Sequence, residues 1–132
     1  MRGKLKICEF ARATNDGLQY DAIGVGTSFI SVSSFPASVA FTLLVENEFE
    51  KTDVGNEYPF EIKIVDMEGK DAGPAVTGSI LPRNKTGIAY SAFNIQILIK
   101  NYVILKFTLL INGEENDKVL LEIKAKDKSQ KI

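Results

Sequence analysis

The sequence predicts an all-β protein, an antiparallel immunoglobulin-like β-sandwich of about seven or eight strands. Three observations predict this class: apolar residues recur at every second position in several segments, glycine-containing turns separate those segments, and helical periodicity is nearly absent. A chain of 132 residues with 45% apolar and 25% charged residues has the size and composition of one ordinary domain. We therefore expect a single sandwich domain over residues 1–125 and a frayed polar tail over residues 126–132.

The first half of the chain contains three predicted strands. Residues 7–13 and 18–25 flank Asn15-Asp16-Gly17, and this turn predicts a hairpin because glycine adopts a positive φ without strain. Residues 39–45 place apolar side chains at alternate positions, as a strand with one buried face does. The only segment in which we allow a turn of helix is residues 46–53.

The second half contains the clearest strands. Residues 58–64 alternate apolar and charged side chains. Residues 103–111 and 119–125 also carry apolar residues at every second position, and Asn112-Gly113 between them predicts a hairpin. Asn101 divides the long apolar stretch into residues 89–99 and 102–111. Both of these strands carry apolar residues on both faces, which indicates that they are covered on both sides. Residues 82–87 are expected to form an exposed loop.

The composition argues against an enzyme. The chain has no histidine, so it lacks the base of the Ser-His-Asp and Cys-His arrangements and the commonest ligand of zinc. No phosphate-binding loop is present, and we predict no cofactor. The single cysteine, Cys8, lies among apolar residues, which favours a buried structural thiol over a reactive one.

The sequence also indicates the cellular context. A net charge of −1 does not favour binding to nucleic acid or to an anionic membrane surface. The apolar stretches are interrupted by polar residues, so we predict neither an export signal nor a membrane span. With one cysteine and no export signal, we expect a cytoplasmic protein.

These observations favour a non-catalytic interaction module that binds a protein partner or self-associates, for example as a homodimer. Residues 89–99 have more apolar surface than one sandwich interior needs, and residues 46–57 are strongly acidic. The residues we assign to the contact surface are Glu46, Glu48, Glu50, Asp53, Ile95, Ile97 and Ile99. In the alternative within one chain, residues 28–37 or 46–57 cover the second apolar face.

A second function class remains open, a calcium- or lipid-surface-binding sandwich module that uses acidic turn residues. Asp66, Glu68 and Asp71 surround one predicted turn, and Asp16 and Asp21 flank another. Calcium needs only oxygen ligands, so a chain without histidine can bind it. The other interpretation is that these carboxylates accept backbone hydrogen bonds within ordinary turns.

Several segments combine strands and turns in a more specific pattern. Residues 5–13 (LKICEFARA) are followed by a turn at residues 16–18 (DGL) and by a glycine-containing strand at residues 23–26 (IGVG). The pattern continues in residues 59–69 and in residues 102–114, where the Asn-Gly turn lies. In these segments the chain resembles an uncharacterised bacterial β-sandwich family that is catalogued only as a domain of unknown function. The resemblance implies a β-sandwich fold and implies no active site.

Overall fold

The structure is a computed structural model that describes residues 1–83 and 87–126 of the chain. Ten β-strands and one short 3-10 turn, Lys51–Asp53, form in these residues. The strands are β1 (Arg2–Cys8), β2 (Phe10–Ala13), β3 (Tyr20–Ile23), β4 (Phe29–Val32), β5 (Ala37–Glu48), β6 (Tyr58–Val65), β7 (Val76–Ile80), β8 (Ile88–Ile99), β9 (Val103–Ile111) and β10 (Glu114–Ala125).

The first sheet has three antiparallel strands in the order β1-β5-β8. β5 is the central strand, and its 12 residues pair with β8 from Ala37 opposite Ile99 to Glu48 opposite Ile88. This register runs without a shift. Consequently, alternate residues of β8 point to the same side of the sheet along the whole strand.

The second sheet has five strands in the order β4-β10-β9-β6-β7. Its strands are antiparallel except that β4 runs parallel to β10. The predicted hairpin between β9 and β10 is confirmed, with Asn112 at φ 52° and Gly113 at φ 78°. Two consecutive residues with positive φ are what a two-residue hairpin turn requires.

One hydrophobic core lies between the two sheets. The alternating apolar residues of β5 and β9 that the sequence predicts to face inward are buried in it, and Phe41 meets Phe107 edge to face at 5.5 Å between ring centroids. The largest side chains that are completely buried include Leu43, Leu105 and Leu121. The all-β class is therefore confirmed.

The structure differs from the predicted elements mainly in its short strands. Residues 7–13 do not form one strand, because the chain leaves the first sheet at Glu9 and β2 pairs with β3 in a separate two-stranded sheet. Residues 28–37, one of the two segments that would cover the second apolar face in the alternative within one chain, contain β4, a strand of the second sheet. β2 and β3 lie within the predicted segments 7–13 and 18–25 and pair with each other, so the hairpin predicted around Asn15-Asp16-Gly17 is confirmed. β4 is not among the predicted strands.

Two expectations concern residues outside the described part of the chain. Most of the predicted tail, residues 127–132, is not described, and neither is the centre of the predicted loop, residues 84–86.

The expected helical turn between residues 46 and 53 is present only as the 3-10 turn, because β5 continues to Glu48.

Candidate functional site

The outer face of the first sheet is covered in part by the hairpin of β2 and β3. This hairpin crosses β5 and β8 and encloses a small second cluster in which Cys8, Ala11 and Leu44 are buried and Ala92 is partly buried. Leu44 and Ala92 are opposite each other on β5 and β8. The apolar second face of β8 is thus covered at this end by a segment of the same chain, although not by either segment that the sequence suggested.

The tip of the hairpin reaches the free edge of β8. The backbone N–H of Tyr90 donates a hydrogen bond to the carbonyl oxygen of Gly17 at 2.8 Å, and the rings of Tyr20 and Tyr90 lie 4.6 Å apart. Because this N–H bonds outside the pair of β5 and β8, the backbone of Tyr90 faces away from β5. The tip therefore covers the edge of β8 at this residue.

The rest of the edge follows from the alternation of a regular strand. Every second residue after Tyr90 directs its N–H and C=O groups away from β5, as Tyr90 does. These residues are Ala92, Asn94, Gln96 and Leu98. Within the described residues, β8 is the last strand of its sheet, and no hydrogen bond reaches these outward backbone groups. Residues 92–98 thus form an open β-edge.

The composition of β8 is unusual for an edge strand. Its 12 residues, IAYSAFNIQILI, include no charged residue and no proline. Natural proteins usually protect such edges with charged side chains, proline, a β-bulge or a short strand, because unpaired backbone groups act as a template for another strand. β8 has none of these four devices, and in residues 1–83 and 87–126 the hairpin tip at Tyr90 is the one segment that hydrogen-bonds to its outer edge.

The other edge of the same sheet is protected. β1 carries Arg2, Lys4 and Lys6, and two of its backbone N–H groups are bonded by side chains of β10. The N–H of Gly3 donates to Asn116 Oδ1 at 2.9 Å, and the N–H of Leu5 donates to Asp117 Oδ2 at 2.8 Å. The edge strands of the second sheet, β4 and β7, have only four and five residues.

The side chains along the open edge leave specific hydrogen-bonding groups free. Asn94 uses its Oδ1 to accept a hydrogen bond from Thr42 Oγ1 at 2.9 Å, and Gln96 uses its Nε2 to donate to Ser38 Oγ at 2.9 Å. The Nδ2 donors of Asn94 and the Oε1 acceptor of Gln96 have no partner in the described part of the chain. Leu98 is 62% exposed beside them.

The three isoleucines of the sequence hypothesis lie on β8 but face inward. Ile97 and Ile99 are buried in the core, and Ile95 is half-buried against it. Their side chains hold β8 onto the second sheet. The exposed parts of the strand are therefore its outer backbone edge and the side chains of Asn94, Gln96 and Leu98.

The four acidic residues of the hypothesis lie at the other end of the sheet. Glu46 pairs with Tyr90, where burial and then the Glu46 carboxylate raise the pKa of the tyrosine. Glu48 forms an exposed ion pair with Lys4 at 3.7 Å. Ile97 is opposite Val39, seven residues from Glu46 along β5, which is about 23 Å at 3.3 Å per residue. The structure does not bring the acidic and apolar residues together.

Asp53 and Glu50 stabilise the start of the 3-10 turn. The Asp53 carboxylate accepts hydrogen bonds from the Tyr58 hydroxyl, from the Glu50 backbone N–H at 2.8 Å and from the N-terminal ammonium at 3.3 Å. The Tyr58 hydroxyl makes the largest contribution to lowering the pKa of Asp53 below its ordinary value. This cluster anchors the N-terminus to the segment between β5 and β6.

The acidic turns considered for calcium use their carboxylates locally. Asp66 Oδ1 accepts the backbone N–H groups of Glu68 and Lys70 at 2.9 and 3.0 Å, and Asp16 Oδ1 accepts from the Thr14 hydroxyl and the Leu18 N–H. In residues 1–83 and 87–126, no group of three or more carboxylate or thiol side chains is arranged to hold a metal ion.

Cys8 is completely buried beneath the hairpin. Burial raises the pKa of its thiol, and the nearby Lys6 opposes this increase only in part.

Two grooves lie near the hairpin. One of about 590 Å³ lies beside Cys8, between β4 and the first sheet. Another of about 640 Å³ lies along the hairpin, where Arg12 and Asp21 form an exposed ion pair at 3.1 Å.

Sequence reasoning missed two features of this site. One is the position of the predicted hairpin over the outer face of the first sheet, which Ala11 and Ala22 indicate, since these small residues allow close packing on the sheet. The other is the open edge itself, whose signal was the absence of charge and proline over residues 88–99.

No helix within the described residues is both long and apolar enough to cross a membrane.

Comparisons with known proteins identify a family for the chain. No match was found among curated proteins or among solved structures. The model of DUF6941, a family of unknown function, matches residues 5–124, which is most of the sequence. The chain belongs to this family of unknown function, DUF6941.

Proposed function

We propose that the chain is a non-catalytic interaction module that binds another polypeptide strand along the open edge of β8. The observation that carries this proposal is the 12-residue edge strand without charge, proline or register shift. An extended segment that adds to such an edge gains main-chain hydrogen bonds, and side chains at alternate positions then give specificity.

The comparison with the other edges supports this role for β8. β1 is protected by charge and by the side chains of Asn116 and Asp117, and the edges of the second sheet are short. An edge strand that only had to avoid association would be expected to carry charged residues or to be short, as these other edges are. Its outward N–H and C=O groups over residues 92–98 are instead available for pairing.

The same proposal includes the architecture and the compartment. We propose an immunoglobulin-like sandwich, supported by two sheets that share one core and by the contact of Phe41 with Phe107 across it. The parallel pair of β4 and β10 adds an edge strand to that arrangement. We place the protein in the cytoplasm, since a single buried cysteine suits a reducing compartment.

The experiment compares two substitutions at one position. Gln96→Pro removes an outward N–H that β5 does not use, whereas Gln96→Ala keeps this N–H and removes only the side chain. Proteins captured from the native host by the wild-type chain are identified, purified and titrated against the wild type and both variants. We expect the Gln96→Pro variant to bind about fivefold more weakly than the Gln96→Ala variant, since the one lost hydrogen bond costs about 1 kcal/mol.

Equal binding by all three chains would place the contact elsewhere and contradict the proposal. So would the combined finding that no purified protein binds and that the chain does not bind itself. The urea unfolding midpoint of each variant serves as the control for folding, because a proline whose N–H faces outward leaves the ladder between β5 and β8 complete.

A further inference from the structure

The open edge of β8 is complementary to itself. Its outward-facing residues, at positions 92, 94, 96 and 98, are arranged symmetrically about Ile95. An antiparallel copy related by a two-fold axis through Ile95 would place Asn94 opposite Gln96 of the second copy, and Ala92 opposite Leu98. All four of these residues present their backbone groups toward the partner in this register.

We infer that the strand bound by β8 is β8 of a second copy, paired antiparallel with the two-fold axis at Ile95. This inference rests on the proposed function, because it names the partner of the same edge. The result is a continuous six-stranded sheet in the order β1-β5-β8-β8-β5-β1. Each copy donates its outward N–H groups to the carbonyl groups of the other.

The free side-chain groups match in this register. Asn94 retains its Nδ2 donors because Thr42 occupies its Oδ1, and Gln96 retains its Oε1 acceptor because its Nε2 donates to Ser38. Across the axis, Asn94 Nδ2 of each copy faces Gln96 Oε1 of the other. The two-fold symmetry forms this amide pair twice.

The apolar side chains match as well. Leu98 is 62% exposed in the single chain, and in the pair it lies opposite Ala92 of the second copy, next to the covering hairpin. On the inner face, Ile95 lies opposite Ile95 of the second copy, and Phe93 lies opposite Ile97. Ile95 and Phe93 are only half-buried in one copy, so pairing extends the core across the axis.

The charges permit the contact. β8 carries no charged residue, so the two strands do not repel each other. The same register places Lys100 beside Tyr90 of the second copy, where the hairpin tip carries Asp16.

The first experiment measures self-association by sedimentation equilibrium from about 1 μM to 1 mM. We expect a dimer with a micromolar dissociation constant, since an edge contact of seven residues belongs to the smaller class of interfaces. Gln96→Pro should raise that constant at least about tenfold relative to Gln96→Ala.

The second experiment tests the register with charged variants. In the Asn94→Lys/Gln96→Lys variant and in the Asn94→Glu/Gln96→Glu variant, like charges lie opposite each other in the homodimer. We expect each variant alone to be monomeric and an equimolar mixture to form a heterodimer. These positions are exposed, and the urea midpoint of each variant verifies that it is folded.

A wild-type chain that stays monomeric to 1 mM overturns this inference, while edge-dependent binding of a different purified protein still supports the proposed function. A dimer that Gln96→Pro does not weaken overturns the pairing at β8. Failure of the two charged variants to associate when mixed overturns the register around Ile95.

Discussion

Asn47 offers a direct test of how the core is built. This residue lies on β5, paired with Gly3 of β1, and is only 1% exposed. In the described part of the chain, neither Nδ2 nor Oδ1 of its side chain has a hydrogen-bond partner. A buried polar group without a partner costs about 1–3 kcal/mol of stability.

Asn47→Leu replaces this amide by an apolar group with the same branching at Cγ. The side chains of Leu109 and Ile111 reach the neighbouring Gly3, so the new methyl groups enter an apolar region. We expect the variant to be more stable by about 1–3 kcal/mol, because the desolvation cost disappears and apolar surface is buried. For a domain of this size, the melting temperature should rise by about 3–5 °C per kcal/mol.

The assay is equilibrium unfolding in urea with the midpoint and the slope fitted separately. The control is Thr42→Val, which removes a buried hydroxyl on the same strand that does have a partner, Asn94 at 2.9 Å. We expect this control to lose about 1 kcal/mol. If Asn47→Leu instead lowers the stability by more than about 1 kcal/mol, the amide is satisfied in the folded protein and the reasoning is refuted.

Three further predictions concern the turn, the N-terminus and the thiol. Gly113→Ala should destabilise the protein by about 1–2 kcal/mol in urea unfolding, because φ is 78° at this residue; an unchanged midpoint would contradict the turn geometry. Asp53 has a pKa below its ordinary value of 3.8. The ionised carboxylate therefore contributes fully to folding stability above pH 3.8, and this contribution is lost as the pH falls through the lowered pKa. Asp53→Asn should therefore reduce the difference in stability between pH 7 and pH 3, and identical pH profiles would argue against the Tyr58 hydrogen bond. Cys8 should react with a thiol reagent far more slowly in the native than in the unfolded protein, whereas rapid native labelling would show that the hairpin does not cover it.

The long strands could be predicted because each buries one face. In β6, β9 and β10, alternation over eight or more residues is decided by burial alone, and Asn112-Gly113 has the positive φ values that its turn requires. The partners of a strand depend on contacts between distant segments, which periodicity does not contain. β8 and β9 are consecutive in the chain, yet they belong to different sheets.

For the candidate site too, the strand can be predicted from the sequence, but the side of the strand that is exposed cannot. Its strand was identified from the sequence, but Ile97 and Ile99 were assigned to the contact surface and are buried. An apolar residue on a strand has the same alternation whether the strand is central or at an edge, so hydrophobicity alone does not distinguish a core face from an exposed one.

The signal that distinguishes an edge strand is its defence against pairing. β1 carries three basic residues and receives side-chain hydrogen bonds from β10, so its edge is closed. β8 is long and uncharged, and such a strand is normally central, with neighbours on both sides. Within the described chain it has a neighbour on one side only. We therefore interpret the composition of β8 as that of a strand paired on both sides, and this supports the proposed pairing at residues 92–98 independently of any single side chain.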